Sequence, residues 1–157
     1  MIQRIQSVWL LLSGLVLMGL FIFPYVSYID LVGLGKQIYV SGIYTSVNNE
    51  SVKQDTFILQ SIGAVFIAVM PLVLIFLFKD RKRQVKLIYL QLVLIVLFAV
   101  WMYVSANNVL STNNQYLRAD NIGIGFFLLP VSVIFLSMAI GGIRNDEKLI
   151  KSADRLR

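Results

Sequence analysis

The sequence predicts an all-α membrane protein, a four-transmembrane-helix bundle with a small β-hairpin-like element in the first outer loop. Three observations carry that expectation. The 157 residues are 58% hydrophobic and only 14% charged, with a mean hydropathy of +0.79. A soluble domain carries about a quarter charged residues to cover its surface, so these apolar side chains need a solvent other than water. Four apolar stretches, 8–23, 57–78, 87–104 and 122–143, contain no Asp, Glu, Lys or Arg. The basic residues gather on one side of those stretches.

The length allows a single domain, read as one integral membrane unit over residues 1–157. A helix needs roughly 20 apolar residues to cross ~30 Å of hydrocarbon at 1.5 Å per residue. The first stretch stops at Pro24 and gains length from Ile5, giving a span of 5–24. Arg4 precedes it as in a signal peptide, but the bulky residues 21–25 offer no small-x-small cleavage site, so it is expected to remain as an anchor. The second and fourth stretches reach full length. The third is shorter and is flanked by Tyr89, Trp101 and Tyr103, residues suited to the interfaces.

Orientation follows from Lys and Arg, which stay cytoplasmic near the spans. Arg4, the inner-loop residues Lys79, Arg81, Lys82, Arg83 and Lys86, and the tail residues Arg144, Lys148, Lys151, Arg155 and Arg157 make eleven of the fourteen basic residues. Only Lys36, Lys53 and Arg118 fall on the other side. Both termini are therefore expected in the cytoplasm. The inner-loop cluster is also a candidate contact for anionic lipid headgroups, at ~1 kcal/mol per basic residue near the surface.

In the first outer loop, β-prone runs at 29–32 and 37–40 flank a glycine-containing turn at 33–36, the pattern of a hairpin. Residues 48–51 read as a polar loop. The second outer loop is asparagine-rich and nearly uncharged. In the tail, Asn145 is placed to cap a short amphipathic helix over 145–157, with Asp146 and Glu147 in its first turn.

Chemistry-bearing residues are scarce. There is no cysteine and no histidine, which removes disulfides, thiolate clusters and the commonest metal ligand. No ionisable group lies inside a span, where proton relays and ion paths would need one. The expectation is no cofactor, no metal and no enzymatic activity. Residues 33–36, GLGK, lack the spacing of a phosphate loop, and Gly123-x-Gly125 reads as close packing at the start of the fourth helix. Gln91 is the most notable polar residue of the spans. It is read first as an interhelical hydrogen bond, with a ligand pocket beside it as the alternative. Ala64 with Ala68, and Ser137 with Gly141, are candidate packing pairs, and Pro71 and Pro130 are candidate kinks.

The two chain ends carry a resemblance. Residues 1–12, MIQRIQSVWLLL, and 146–157, DEKLIKSADRLR, resemble the opening and closing motifs of a family of small four-helix inner-membrane proteins of Gram-negative bacteria. That family is known as a domain of unknown function. The resemblance covers the whole chain in length and span count. It implies an inner-membrane location and supplies no activity. It also implies that Arg4, Asp154, Arg155 and Arg157 belong to a cytoplasmic feature that the family retains, and these four are the candidate partner-binding residues. The expected function is an accessory or scaffold subunit that binds another protein. The alternative is a small-molecule or lipid-handling protein with a pocket near Gln91.

Overall fold

The computed structural model describes residues 3–30, 33–47, 50–78, 80–112 and 114–155. Among them run α1 (Gln3–Met18), a 3-10 turn (Gly19–Phe21), β1 (Val26–Ile29), β2 (Gly35–Tyr39), β3 (Gly42–Val47), β4 (Glu50–Thr56), α2 (Ile58–Phe76), α3 (Arg81–Thr112), a second 3-10 turn (Ala119–Asn121) and α4 (Ile124–Arg155). α1 packs most extensively on α4 and α2, and α3 closes the ring between α2 and α4.

Among the described residues three helices are long and apolar enough to cross a membrane: Ile58–Phe76, Arg81–Thr112 and Ile124–Glu147. The apolar stretch Ile5–Phe21 is shorter. Only about a third of each long helix's most apolar window is buried inside the chain: 33%, 28% and 33%. The rest faces outward as large apolar side chains, such as Ile62, Phe66, Val96, Leu97 and Ile134, each more than half exposed. An apolar surface of that extent is stable only where something other than water covers it.

α3 is much longer than the stretch 87–104 expected for it. Its 32 residues make a rod of about 48 Å at 1.5 Å per residue. The buried positions Gln84, Ile88, Gln91, Ile95, Phe98 and Met102 alternate four- and three-residue steps, the seam spacing of packed helices. Ala106 and Leu110 carry burial past the expected span.

The first long loop is a four-stranded antiparallel meander in the order β1-β2-β3-β4, which corrects the expectation of one hairpin. The turn is earlier than the expected 33–36: Asp30 and Leu34 bracket it, Gly33 stands in it at φ 81°, where a glycine meets no Cβ penalty, and Gly35 and Lys36 already belong to β2. Lys36 closes it on Asp30 at 2.7 Å. The first strand is Val26–Ile29, also earlier than expected, and of the polar loop expected at 48–51 Glu50 and Ser51 begin a further strand, whereas Asn48 and Asn49 lie outside the described residues. β4, ESVKQDT, shows no alternation of apolar and polar residues, because it is an edge strand exposed along 51–56. Its strand state comes from backbone pairing with β3, which side-chain periodicity cannot report.

Val26, Tyr28, Ile38 and Val40 join the buried core. The sheet is tied down at its base. Gly123 N–H donates to the Tyr25 carbonyl at 2.8 Å, and Gly125 N–H to the Pro24 carbonyl at 2.9 Å. A Cβ at Gly123 would stand 2.3 Å from the Pro24 oxygen. The two glycines therefore admit the segment that follows α1, rather than another helix. Burial pushes the Tyr25 phenol up to about 12, against a hydrogen bond from Gln60.

The tail departs from expectation as well. No cap interrupts the chain at Asn145; α4 continues as one helix to Arg155. Asp146 turns into the protein, 6% exposed, instead of facing solvent in a first turn.

Candidate interaction site at the meeting of the chain ends

The antiparallel seam of α1 and α4 brings the two terminal motifs together. Gln6 and Asp146 are both 6% exposed, and the Gln6 amide donates to one Asp146 carboxylate oxygen across 140 residues of sequence. One turn before Asp146, Gly142 makes the room: a Cβ there would lie 3.1 Å from the Gln6 Cγ. Farther along the seam, Trp9 stacks on Phe135 with ring centroids 5.9 Å apart, and the Ser13 hydroxyl donates to the Ser132 carbonyl at 3.5 Å. The second Asp146 oxygen is buried and has no hydrogen-bond partner among the described residues. A buried carboxylate served on one side only carries an unmet desolvation cost of about 1–3 kcal/mol or more.

Arg4 lies in the first turn of α1, and Asp154 and Arg155 in the last turn of α4, by backbone position. The structure does not bring them level. Asp154 is eight residues beyond Asp146, about 12 Å along the helix, whereas α1 begins only three residues before Gln6. α4 thus runs past the start of α1. Arg157 lies outside the described residues. Gln6 and Asp146, the pair that joins the ends, escaped sequence reasoning, which placed Asp146 in an exposed helical turn. A lone glutamine entering an apolar run, opposite a Gly-Gly step in the last helix, was the available signal.

Of the basic inner-loop residues, Lys79 lies outside the described residues. Arg81, Lys82, Arg83 and Lys86 stand on the first turns of α3 rather than in a free loop. Lys82, Arg83 and Lys86 are exposed, and Arg83 approaches Asp80 at 3.6 Å with both side chains solvated, a contact of little worth. Cations at a helix N-terminus oppose the macrodipole, so this cluster does not serve the helix. From the same end of α4, the Arg144 guanidinium donates to the Tyr89 hydroxyl at 2.7 Å and lies 5.7 Å from the ring centroid.

Gln91 is fully buried and donates to the Ile67 carbonyl at 2.7 Å. Ile67 is four residues before Pro71, whose missing N–H leaves that carbonyl without its helical donor. One heptad earlier, Gln84 donates to the Leu74 carbonyl at 2.9 Å in the last turn of α2, a carbonyl that also accepts from the Leu77 N–H at 3.2 Å. Gln91 thus supplies the donor that Pro71 removes, and Gln84 adds a second bond where the helix ends.

Among the described residues no group of three or more His, Cys, Asp or Glu side chains comes together to hold a metal ion. A comparison with curated proteins finds no match. The family model that does match spans residues 2–156 and is described as a domain of unknown function, DUF4293; the chain, whose two ends close on each other at Gln6 and Asp146, belongs to that family.

Proposed function

We propose that the protein is a non-enzymatic, four-span component of the bacterial inner membrane that binds a protein partner through its joined cytoplasmic ends. The outward apolar faces of the helices support membrane residence, with spans at about 5–24, 57–78, 87–104 and 122–143. The eleven-to-three division of basic residues supports cytoplasmic termini. Lys82, Arg83 and Lys86 then sit at the level of anionic headgroups, whose negative charge offsets both this cluster and the positive N-terminus of α3.

The observation that carries the partner reading is the course of α4. It runs unbroken to Arg155, anchored at Gln6 and extending about two turns beyond the start of α1. These last turns continue a packed helix but have no neighbouring helix of this chain beside them among the described residues, and we take a partner to be what they rest on. Deleting residues 152–157 leaves Arg144, Lys148, Lys151 and the basic start of α3 in place, so insertion and orientation should survive. Partner recovery after mild-detergent extraction should be lost with the deletion and reduced in Asp154→Asn, at unchanged protein abundance. If both variants recover the same partners as wild type, the tail serves topology alone.

Topology has its own check. A periplasm-dependent reporter should be active after Asn49 or Asn113 and silent after Arg83 or Arg157. Activity at Arg157 would sink the four-span arrangement.

A further inference from the structure

The sheet end of the bundle contains two adjoining hollows of opposite character. One is an apolar cavity of about 240 Å³ between α3 and α4, walled by Tyr25, Met102, Ala106, Leu117, Ile122 and Phe126 without polar lining. Met102 and Ala106 are buried behind it, while Tyr103, on the same wall, is half exposed and marks its mouth. A cavity of this size with apolar walls stays dry and takes apolar guests.

The second hollow, about 410 Å³, is polar and includes Asn114, Gln115, Arg118, Asp120 and Asn121. The steps Leu117–Arg118 and Asn121–Ile122 each put one residue in the apolar cavity and the next in the polar hollow. Of the other two basic residues at this end, Lys36 is paired with Asp30 and Lys53 lies over the Tyr44 ring at 5.8 Å. Arg118 is exposed, and among the described residues neither Asp120 nor any other carboxylate is within ion-pair distance of it. The hollow thus presents one cation and one anion that do not neutralise each other.

We propose that this end holds one zwitterionic phospholipid, its hydrocarbon chain in the apolar cavity, its phosphate on Arg118 and its ammonium on Asp120. The inference rests on the membrane reading, since the chain must enter from lipid between α3 and α4. A phosphate takes paired donors from a guanidinium, and a carboxylate two residues away selects an ammonium-bearing headgroup over an anionic one. The cavity is too small for a whole lipid and suits one part of a chain, which is why the headgroup contacts are needed for selectivity.

The test is native mass spectrometry of the full chain extracted in mild detergent and offered phosphatidylethanolamine and phosphatidylglycerol in equal amounts. Wild type should retain one phosphatidylethanolamine. Arg118→Gln should weaken retention about fivefold, the factor for one membrane-surface cation. Asp120→Lys should switch the preference to phosphatidylglycerol. Both positions are exposed, so neither change threatens the fold. Ala106→Phe, which fills the cavity, should abolish retention of either lipid. Equal retention of the two lipids by wild type, or an unchanged preference in Asp120→Lys, overturns the proposal. Alkaline carbonate washing of the source membranes separates the two readings. A chain that stays in the membrane but shows no headgroup preference refutes this site alone. A chain that washes off refutes membrane residence and the site with it.

Discussion

Two seams of the bundle use buried polar side chains, and they use them differently. Between α2 and α3, Gln91 donates to the Ile67 carbonyl that Pro71 leaves open, and Gln84 donates to the Leu74 carbonyl beside the Leu77 N–H that closes the helix. Both bonds serve a helix backbone, and the first repairs one. Between α1 and α4, Gln6 meets Asp146, and neither belongs to a helix defect. That pair buries a carboxylate which apolar residues could replace, and it does so where the chain ends meet. A polar group that mends a backbone is explained by folding alone. A buried acid that mends nothing calls for another reason, and the projecting end of α4 beside it supplies one.

The comparison breaks most readily at Gln6. Gln6→Ala leaves the Asp146 carboxylate buried without its donor and should cost ~3 kcal/mol, since removing one partner exposes the full desolvation penalty of the other, greater for a charged group. Changing both residues to Leu should recover most of that loss. Detergent-resistant thermal unfolding of the two variants measures the difference. If the double variant is as unstable as Gln6→Ala, the seam depends on its polar bond for more than satisfaction of the pair.

A smaller effect is expected for Asp146→Asn. The amide still accepts from Gln6 and no longer buries a half-served charge, so stability should change by less than ~1 kcal/mol in either direction, the weaker neutral bond offsetting the smaller desolvation cost. Partner recovery should fall by more than stability does if the carboxylate itself is recognised. A loss of recovery that only tracks protein abundance would leave the acid a packing residue.

The α2–α3 seam should respond more mildly still. Gln91→Leu should cost ~0.6 kcal/mol and stay under ~2 kcal/mol, because hydrogen bonds between membrane helices are weak on average. Coupling to Pro71 is the sharper measurement. With Pro71→Ala the restored N–H serves the Ile67 carbonyl, and Gln91→Leu should then cost less than it does in wild type. Additive effects would mean that Gln91 does not compensate for the proline. Loss of function in Gln91→Leu at normal abundance would instead favour a ligand beside it.

The smallest effect is confined to Tyr25 at the base of the sheet. Its phenol, 1% exposed, is held up at about 12 from an ordinary 10 by burial. Its contribution to stability is fully present below pH 10. It is lost as pH rises toward 12, because the unfolded chain ionises first. Burial raises Tyr28 as well, so ultraviolet titration should show late tyrosine ionisation whose latest component disappears in Tyr25→Phe. A titration with no late component in wild type would mean that the pocket around Tyr25 admits water.

Legibility in the sequence followed the range of each cause. The apolar stretches that become the helices, and a glycine turn in the first long loop, depend on neighbours a few residues apart and were readable in the chain, although α1 stops at Met18 and its 3-10 turn at Phe21, before Pro24. The charge-free stretches by themselves determined that this protein presents apolar helices to its surroundings. Tertiary structure decided what depends on distant partners. β4 is a strand because β3 lies beside it, not because its own residues alternate. Asp146 is buried because Gly142 lets Gln6 approach from the other end of the chain. Gln91 has its partner because Pro71, twenty residues away on another helix, left a carbonyl open. A one-dimensional pattern reports which face of an element is apolar, whereas a hydrogen bond between elements requires both to be in place before either residue shows what it is for.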